Sequence, residues 1–330
     1  MPIEIFLRKP ELPRMTNVAY VFPGQGSQLV GMTRDLYKAI PASKSVIDTA
    51  AEILGGDLIQ LMFDGPKDKL DQTENTQPLI LTASVACLVG YLSENPQLRK
   101  QLPTFSFGHS AGELTALVAS GVLTFEEAIQ TARTRGKLMA EAPPGKMTVV
   151  KNISQEELTY ILKIFQVDIG VINSAEQIVL SGEAKAIDAA YAYMKSKGIK
   201  TTVLPISIAS HSRVMEPVRK QFASALNEFL FRNPRVPIIS VYGAQLLEDG
   251  SKIREAFVNQ MTKTLNFPQM ISAAQLFGIN TFVEFGPKGQ STDGIITGNI
   301  RALNPSFTTF NVRDLATVKS NVGLSVKMCV

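Results

Sequence analysis

The sequence predicts an α/β protein: a parallel β-sheet with helices on both faces, interrupted by a smaller unit of strands and helices. Three apolar runs, at residues 18–22, 104–107 and 280–285, each lead into a loop that contains glycine, and helical stretches separate them. This alternation is typical of parallel sheets, in which helices connect the strands. Because loops at the carboxyl edge of such a sheet carry the reactive groups, we expect the functional residues there.

The composition is that of a large globular protein. Of the 330 residues, 45% are hydrophobic and 19% are charged, which is enough for a substantial core. The net charge of +4 gives no argument for nucleic acid binding. Cys87 and Cys329 have neither the number nor the spacing of a disulfide framework or a metal site. We therefore expect a cytoplasmic protein, and we expect a monomer.

No stretch predicts a membrane protein. The longest apolar run, at 79–92, is shorter than the ~18 residues that span a bilayer, and we interpret it as a buried helix. Residues 1–17 mix charges and prolines with apolar residues and lack the continuous apolar core of a signal peptide. We interpret them as an N-terminal extension.

The pattern changes in the middle of the chain. Residues 146–205 read as strand, helix, strand, strand, helix and strand, which is the order of a ferredoxin-like unit. Ser154, with Glu157 three residues later, predicts a capping box for the first of these helices. We therefore expect a ferredoxin-like subdomain at 146–205, inserted into a core formed by residues 18–145 and 206–330.

Ser110 is the first candidate functional residue. It lies in the sequence FGHSAG (107–112), which matches the Gly-x-Ser-x-Gly pattern of a sharp strand-to-helix turn that exposes a serine hydroxyl. A simple helix N-cap would also use serine. The strand before it and the helix after it favour a nucleophile, with the helix N-terminus supplying half of an oxyanion hole.

A nucleophilic serine requires a base, and the chain has two histidines. His109 directly precedes Ser110, so its side chain should point away from the serine hydroxyl. His211 follows the apolar run at 201–207 and is the predicted base, although a single histidine in a turn is more often structural or solvated.

The group that orients His211 is less clearly indicated. The aspartates between the serine and the histidine that could do so, Asp168 and Asp188, both lie in the inserted unit. A backbone carbonyl or an amide such as Gln260 could orient the imidazole without a third charge.

Arg135 falls on an apolar helical face. At 3.6 residues per turn it shares that face with Ala128, Ala132 and Met139. A buried guanidinium needs a partner, and its planar fork suits a carboxylate. That carboxylate could belong to a substrate or to the protein itself, and periodicity does not decide between them.

Gln25 lies in the glycine-rich turn GQGSQ (24–28). This turn has neither the dinucleotide-binding spacing nor the lysine of a phosphate-binding loop. Its main-chain N–H could instead be the second donor of the oxyanion hole, or the segment could be a plain tight turn.

Six motifs occur in an order that resembles a known family. The sequence is similar to the malonyl-CoA:acyl carrier protein transacylases of bacterial-type fatty acid synthesis, and to the acyltransferase domains of polyketide synthases. The motifs are FPGQGSQLVGM (22–32), TQPLILTAS (76–84), GHSAGELTALVASG (108–121), RGKLM (135–139), ASHS (209–212) and EFGPKG (284–289).

The resemblance implies an α/β hydrolase-like core with an inserted ferredoxin-like subdomain. It also implies a role for each candidate: Ser110 is acylated, His211 is its base, Arg135 holds the malonyl carboxylate, the N–H groups of Gln25 and Ala111 form the oxyanion hole, and the carbonyl of Gln260 orients the histidine. His109 is the supporting neighbour of the serine.

The implied reaction is a ping-pong transfer from malonyl-CoA, through a malonyl-serine, to the phosphopantetheine thiol of an acidic acyl carrier protein. No metal or redox cofactor is required. Ala111 and the ASHS motif leave methylmalonyl-CoA open as a donor, and the enzyme could act in trans on a polyketide synthase. The same motifs could also belong to a serine esterase or to a non-catalytic scaffold. The inward-facing Arg135 argues against an esterase for neutral acyl chains.

Overall fold

The computed structural model describes residues 17–320, apart from the side chain of Lys100. Residues 1–16 of the expected N-terminal extension, and Cys329, lie outside this range. The strands in the described part are β1 (Val18–Phe22), β2 (Phe105–Gly108), β3 (Gly145–Lys151), β4 (Asp168–Ser174), β5 (Gln177–Glu183), β6 (Lys200–Val203), β7 (Ile238–Ile239), β8 (Leu246–Leu247), β9 (Leu265–Asn266), β10 (Thr281–Phe285) and β11 (Thr308–Val312).

Helices make up much of the remaining chain. They are α1 (Arg34–Ala39), α2 (Pro41–Leu54), α3 (Gly56–Asp64), α4 (Lys67–Leu70), α5 (Thr73–Glu94), α6 (Glu113–Ala119), α7 (Phe125–Ala140), α8 (Gln155–Phe165), α9 (Ala184–Ser196), α10 (Glu216–Ala225), α11 (Gly250–Asn259), α12 (Phe267–Leu276), α13 (Ile295–Leu303) and α14 (Leu315–Lys319). Short 3₁₀ turns occur at Leu98–Lys100, Ser110–Gly112, Arg213–Met215, Leu226–Glu228 and Gln260–Thr262.

The larger sheet has the strand order β11-β10-β1-β2-β7-β8. Its first five strands pair in parallel, and the three predicted apolar runs form β1, β2 and β10. The expectation of a parallel sheet was wrong at one edge, because β8 pairs antiparallel with β7. The α/β class is confirmed, with a mixed sheet.

Both faces of the larger sheet are buried. Along β1, Tyr20 and Phe22 pack into one hydrophobic cluster, whereas Ala19 and Val21 pack into another on the opposite face. Successive side chains of a strand point to opposite faces. This is why β1 is apolar at every position rather than at alternate ones.

The smaller sheet has the order β6-β3-β5-β4-β9. The strands β3 to β6 pair antiparallel, and β9, from a later part of the chain, joins β4 in parallel. The capping box predicted for α8 is only half formed. Ser154 Oγ accepts from the Glu157 N–H at 3.2 Å, but the Glu157 carboxylate accepts from Tyr193 Oη at 3.1 Å instead of returning to Ser154.

Helix α5 is the central helix of the fold. Its 22 residues include the apolar run at 79–92, and by length and hydropathy alone it could cross a membrane. However, 94% of its most apolar window is buried inside the protein. The expectation of a buried helix is confirmed.

Candidate active site

Ser110 lies in a tight turn between β2 and α6. Its φ of 54° is left-handed, a conformation that costs free energy for a residue with a side chain. The flanking glycines allow the turn, since a Cβ on Gly108 would lie 2.1 Å from the carbonyl carbon of Gly112, and one on Gly112 would lie 2.3 Å from the carbonyl oxygen of Phe22. The Gly-x-Ser-x-Gly spacing is thus required by close backbone contacts.

His211 meets the serine hydroxyl directly. Its Nε2 lies 2.9 Å from Ser110 Oγ, and the histidine is 3% exposed. The turn that carries it is strained, because His211 has a φ of 62°. The loop is held in place by the His211 main-chain N–H, which donates to the carbonyl of Met261 at 3.0 Å.

The partners of the imidazole define its tautomer. Nδ1 lies 2.7 Å from the carbonyl oxygen of Gln260, and a carbonyl oxygen can only accept, so Nδ1 carries the proton. In the neutral ring Nε2 is then an acceptor for the Ser110 hydroxyl. Burial lowers the pKa of His211 to about 3, which keeps the ring neutral at physiological pH. The geometry suits a base that takes the serine proton.

Arg135 is buried close by, with 1% of its surface exposed. Its Nη1 donates to Gln77 Oε1 at 2.7 Å. Within residues 17–320, its Nε and Nη2 are buried and have no hydrogen-bond partner. An unpartnered buried guanidinium fork is costly, so the arrangement is suited to an anionic group supplied from outside.

Glu113 is a buried carboxylate that no sequence pattern predicted as a site residue. It is 0% exposed, and its Oε2 accepts from Gln260 Nε2 at 2.6 Å. Burial raises its pKa to about 8, an effect that the charge of Arg135 partly opposes. Its position three residues after the serine, in the GHSAGE sequence, was the only signal for it in the chain.

The remaining candidates surround one cavity. Gln25 and Ala111 line the same cavity of about 550 Å³ as Ser110, His211 and Arg135. The loop that carries Gln25 is held beside the serine turn, because the His109 N–H donates to the carbonyl of Phe22 at 3.0 Å. The Gln25 side chain accepts from Thr73 Oγ1 at 3.0 Å.

His109 also lines this cavity but does not pair with the serine. Its ring centroid lies 6.2 Å from that of Phe267. The hydrogen-bond partner of Ser110 Oγ is His211, as the sequence predicts. The structure therefore brings together Ser110, His211, Arg135, Gln25 and Ala111 around one cavity. Gln260 does not line it, and contacts the site through the ring of His211.

A family model described as "Acyl transferase domain" matches residues 19–306 of this chain. Among curated proteins, the malonyl CoA-acyl carrier protein transacylase of Bacillus subtilis (strain 168) is 33% identical over 314 residues, covering 92% of this chain and 96% of that protein.

Solved structures agree with the sequence comparison. An acyl carrier protein S-malonyltransferase from Vibrio cholerae matches with a TM-score of 0.83 and 32% identity, over 92% of this chain and 98% of that one. A malonyl-transacylase solved in complex with a type II PKS acyl-carrier protein matches with a TM-score of 0.83 and 31% identity, over 92% and 97%. This chain therefore belongs to the acyl transferase family that includes the malonyl CoA-acyl carrier protein transacylases.

Proposed function

We propose that this protein transfers a malonyl group from malonyl-CoA to the phosphopantetheine thiol of an acyl carrier protein, in fatty acid synthesis. The observation that carries the proposal is the buried guanidinium of Arg135, whose Nε and Nη2 have no hydrogen-bond partner among the described residues. It lines the cavity that contains the Ser110–His211 pair. An acyl group that ends in a carboxylate would satisfy both nitrogens with charge-assisted hydrogen bonds.

In the first half-reaction, the Ser110 hydroxyl gives its proton to His211 Nε2 and Oγ attacks the thioester carbonyl. The carbonyl oxygen becomes an oxyanion, which the main-chain N–H groups of Gln25 and Ala111 stabilise. The C–S bond then breaks, and coenzyme A leaves with the proton from His211. The Gln260 carbonyl stabilises the imidazolium by accepting from Nδ1–H.

In the second half-reaction, the thiol of the carrier protein gives its proton to His211, and its sulfur attacks the malonyl ester. The C–O bond to Ser110 breaks, and the proton returns to Oγ, so the enzyme is regenerated. An acyl carrier protein as the acceptor is supported by the related malonyl-transacylase that was solved in complex with one. The acidic character of the carrier stays a prediction from the sequence.

We also propose the finer description of the fold: an α/β hydrolase-like core formed by 18–145 and 206–330, with a ferredoxin-like subdomain at 146–205. The succession β3-α8-β4-β5-α9-β6 and the antiparallel pairing of its strands support the second part. The cytoplasmic location and the monomeric state stay predictions from the sequence.

The proposal is tested by the intact mass of the protein after separate incubation with malonyl-CoA, acetyl-CoA and methylmalonyl-CoA. We expect a malonyl adduct on wild type and none on Ser110→Ala. Acetyl loading as efficient as malonyl loading would contradict the carboxylate-binding role of Arg135. The methylmalonyl sample tests the broader donor range that Ala111 suggests.

Adding a phosphopantetheinylated carrier protein tests the second half-reaction. We expect the malonyl group to move from Ser110 to the carrier, measured on both proteins by mass. Rapid loss of the adduct to water, with no gain on the carrier, would favour an esterase instead.

A further inference from the structure

We propose that Glu113 is a positioning residue, which holds His211 in register with Ser110 by fixing the side chain of Gln260. The inference rests on the proposed function, because it explains how the two halves of the proposed catalytic pair are kept together. Glu113 makes no hydrogen bond to the serine or the histidine within residues 17–320, and its hydrogen-bonded connection to His211 runs through Gln260. The charge of Arg135 also acts on Glu113, without a hydrogen bond between them.

Glu113 and Gln260 lie far apart in the chain. Glu113 begins α6, three residues after Ser110 and directly after the 3₁₀ turn Ser110–Gly112. Gln260 begins the 3₁₀ turn Gln260–Thr262, which follows α11. The Glu113–Gln260 hydrogen bond, at 2.6 Å, therefore connects segments 147 positions apart.

The turn that begins at Gln260 holds His211 at two points. The Gln260 carbonyl accepts from His211 Nδ1 at 2.7 Å, and the next carbonyl, that of Met261, accepts from the His211 main-chain N–H at 3.0 Å. Both the ring and the backbone of His211 are thus held by this one turn. A shift of the turn relative to α6 would move Nε2 away from Ser110 Oγ.

The two side chains share a single hydrogen bond. Glu113 and Gln260 are each 0% exposed. Within the described residues, Glu113 Oε1 and Gln260 Oε1 are buried without a hydrogen-bond partner. A buried carboxyl and a buried amide with one shared hydrogen bond are costly to keep in a fold. Replacing such a buried pair with apolar side chains of similar volume is often neutral or stabilising. The pair is therefore better explained by a role in positioning the Gln260 turn than by a contribution to stability.

The hydrogen bond from Gln260 Nε2 to Glu113, here called the tether, does not require a charged carboxyl. Burial raises its pKa to about 8, which favours the neutral carboxyl. Glutamine has the same length and still offers an oxygen to Gln260 Nε2. The variant Glu113→Gln should therefore preserve the tether, whereas Glu113→Ala removes it.

The test compares steady-state malonyl transfer by the full-length wild type, Glu113→Ala, Glu113→Gln, Gln260→Ala and the double variant Glu113→Ala/Gln260→Ala. We expect Glu113→Ala to lower kcat by roughly 10–100-fold, the scale of a small misplacement of a catalytic group, with little change in KM. Glu113→Gln should restore most of kcat. Gln260→Ala keeps the main-chain carbonyl and should match Glu113→Ala.

The double variant separates positioning from independent packing effects. If Glu113 acts through the Gln260 side chain, the double variant loses no more than either single variant, whereas independent effects would multiply. Thr115→Val is the matched control: Thr115 is buried in the same helix, and its hydroxyl has no partner among the described residues, so kcat should stay unchanged.

Three results would overturn the inference: an unchanged kcat in folded Glu113→Ala, a Glu113→Gln variant as impaired as Glu113→Ala, or multiplicative losses in the double variant. If Glu113→Ala does not fold, Glu113→Asp withdraws the carboxyl by one methylene, and it should lower kcat with little change in KM. If instead wild type forms no malonyl-serine, the proposed function fails. If wild type forms it and the variants match wild type, only the role of Glu113 fails.

Discussion

His211 Nε2 lies 2.9 Å from Ser110 Oγ, although 101 positions separate the two residues in the chain. The contact joins a turn at the end of β2 to a loop held by the Gln260–Thr262 turn. Because Nδ1 donates to the Gln260 carbonyl, the nitrogen that faces the serine is free to accept its proton. The histidine beside Ser110 is therefore fixed at both ring nitrogens, as the proposed activation of the serine requires.

Replacing His211 with alanine should slow acylation of Ser110 by malonyl-CoA by roughly 10²–10⁴-fold, the usual contribution of a general base. Rapid-quench sampling with intact-mass detection measures this rate. His109→Gln is the control, because His109 lines the cavity but the serine hydrogen bond belongs to His211. A comparable loss in both variants would contradict the assignment of the base.

The rate of acylation should not show an inflection near the ordinary histidine pKa of 6.5. Burial disfavours the imidazolium and lowers the pKa of His211 to about 3, so the base stays neutral, and active, as the pH falls from 8 to 5. A single-turnover rate measured at constant ionic strength over this range tests the prediction. A tenfold fall per pH unit below 6.5 would show that His211 titrates normally.

The lowered pKa of His211 also affects the free energy of unfolding. The folded protein resists protonation of His211, whereas the unfolded chain binds the proton below about pH 6.5. This contribution to the free energy of unfolding is therefore fully present above pH 6.5 and is lost as the pH falls toward 3. Urea unfolding at several pH values should show a smaller acid loss for His211→Gln than for wild type. Equal losses would mean that His211 is not a source of acid sensitivity.

Replacing Arg135 with alanine should lower the preference for malonyl-CoA over acetyl-CoA by roughly 10–100-fold, as expected for lost hydrogen bonds to a charged group. Competition between the two donors, with the adducts on Ser110 resolved by mass, measures the ratio. Arg135→Lys should not restore it, since lysine lacks the planar fork. An equal loss of malonyl and acetyl loading would assign Arg135 a structural role instead.

Local sequence patterns predicted much of the framework. The apolar runs that became β1, β2 and β10 were recognisable because both faces of these strands are buried, so most of their residues are apolar. The positions of Ser110 and His211 were also recognisable, the first from its glycine spacing and the second because the chain has only one other histidine. Their chemical roles stay predictions until the adduct is measured.

Long-range contacts explain what the sequence did not predict. Glu113 is hydrogen-bonded to Gln260, which lies 147 positions away in the chain. Arg135 is hydrogen-bonded to Gln77, which lies 58 positions away on another helix. The local periodicity of the sequence gives no information about hydrogen bonds between residues so far apart. The half-formed capping box at Ser154 has the same cause, because Glu157 bonds to Tyr193 of α9 instead of the nearby backbone.

Replacing Gly136 with alanine should weaken both stability and malonyl binding. A Cβ on Gly136 would lie 2.6 Å from the Cα of Glu74 and 2.8 Å from the carbonyl oxygen of Thr73, so α7 must move away from α5. Such overpacking costs about 1–3 kcal/mol, and the movement would separate Arg135 from Gln77. Urea unfolding and the KM for malonyl-CoA measure the two effects.

Gly298→Ala is the matched control, since nothing lies within 4 Å of its added Cβ and alanine favours a helix interior by about 0.5–1 kcal/mol. Equal stability of the two variants would show that the close contact of α5 and α7 does not constrain the site.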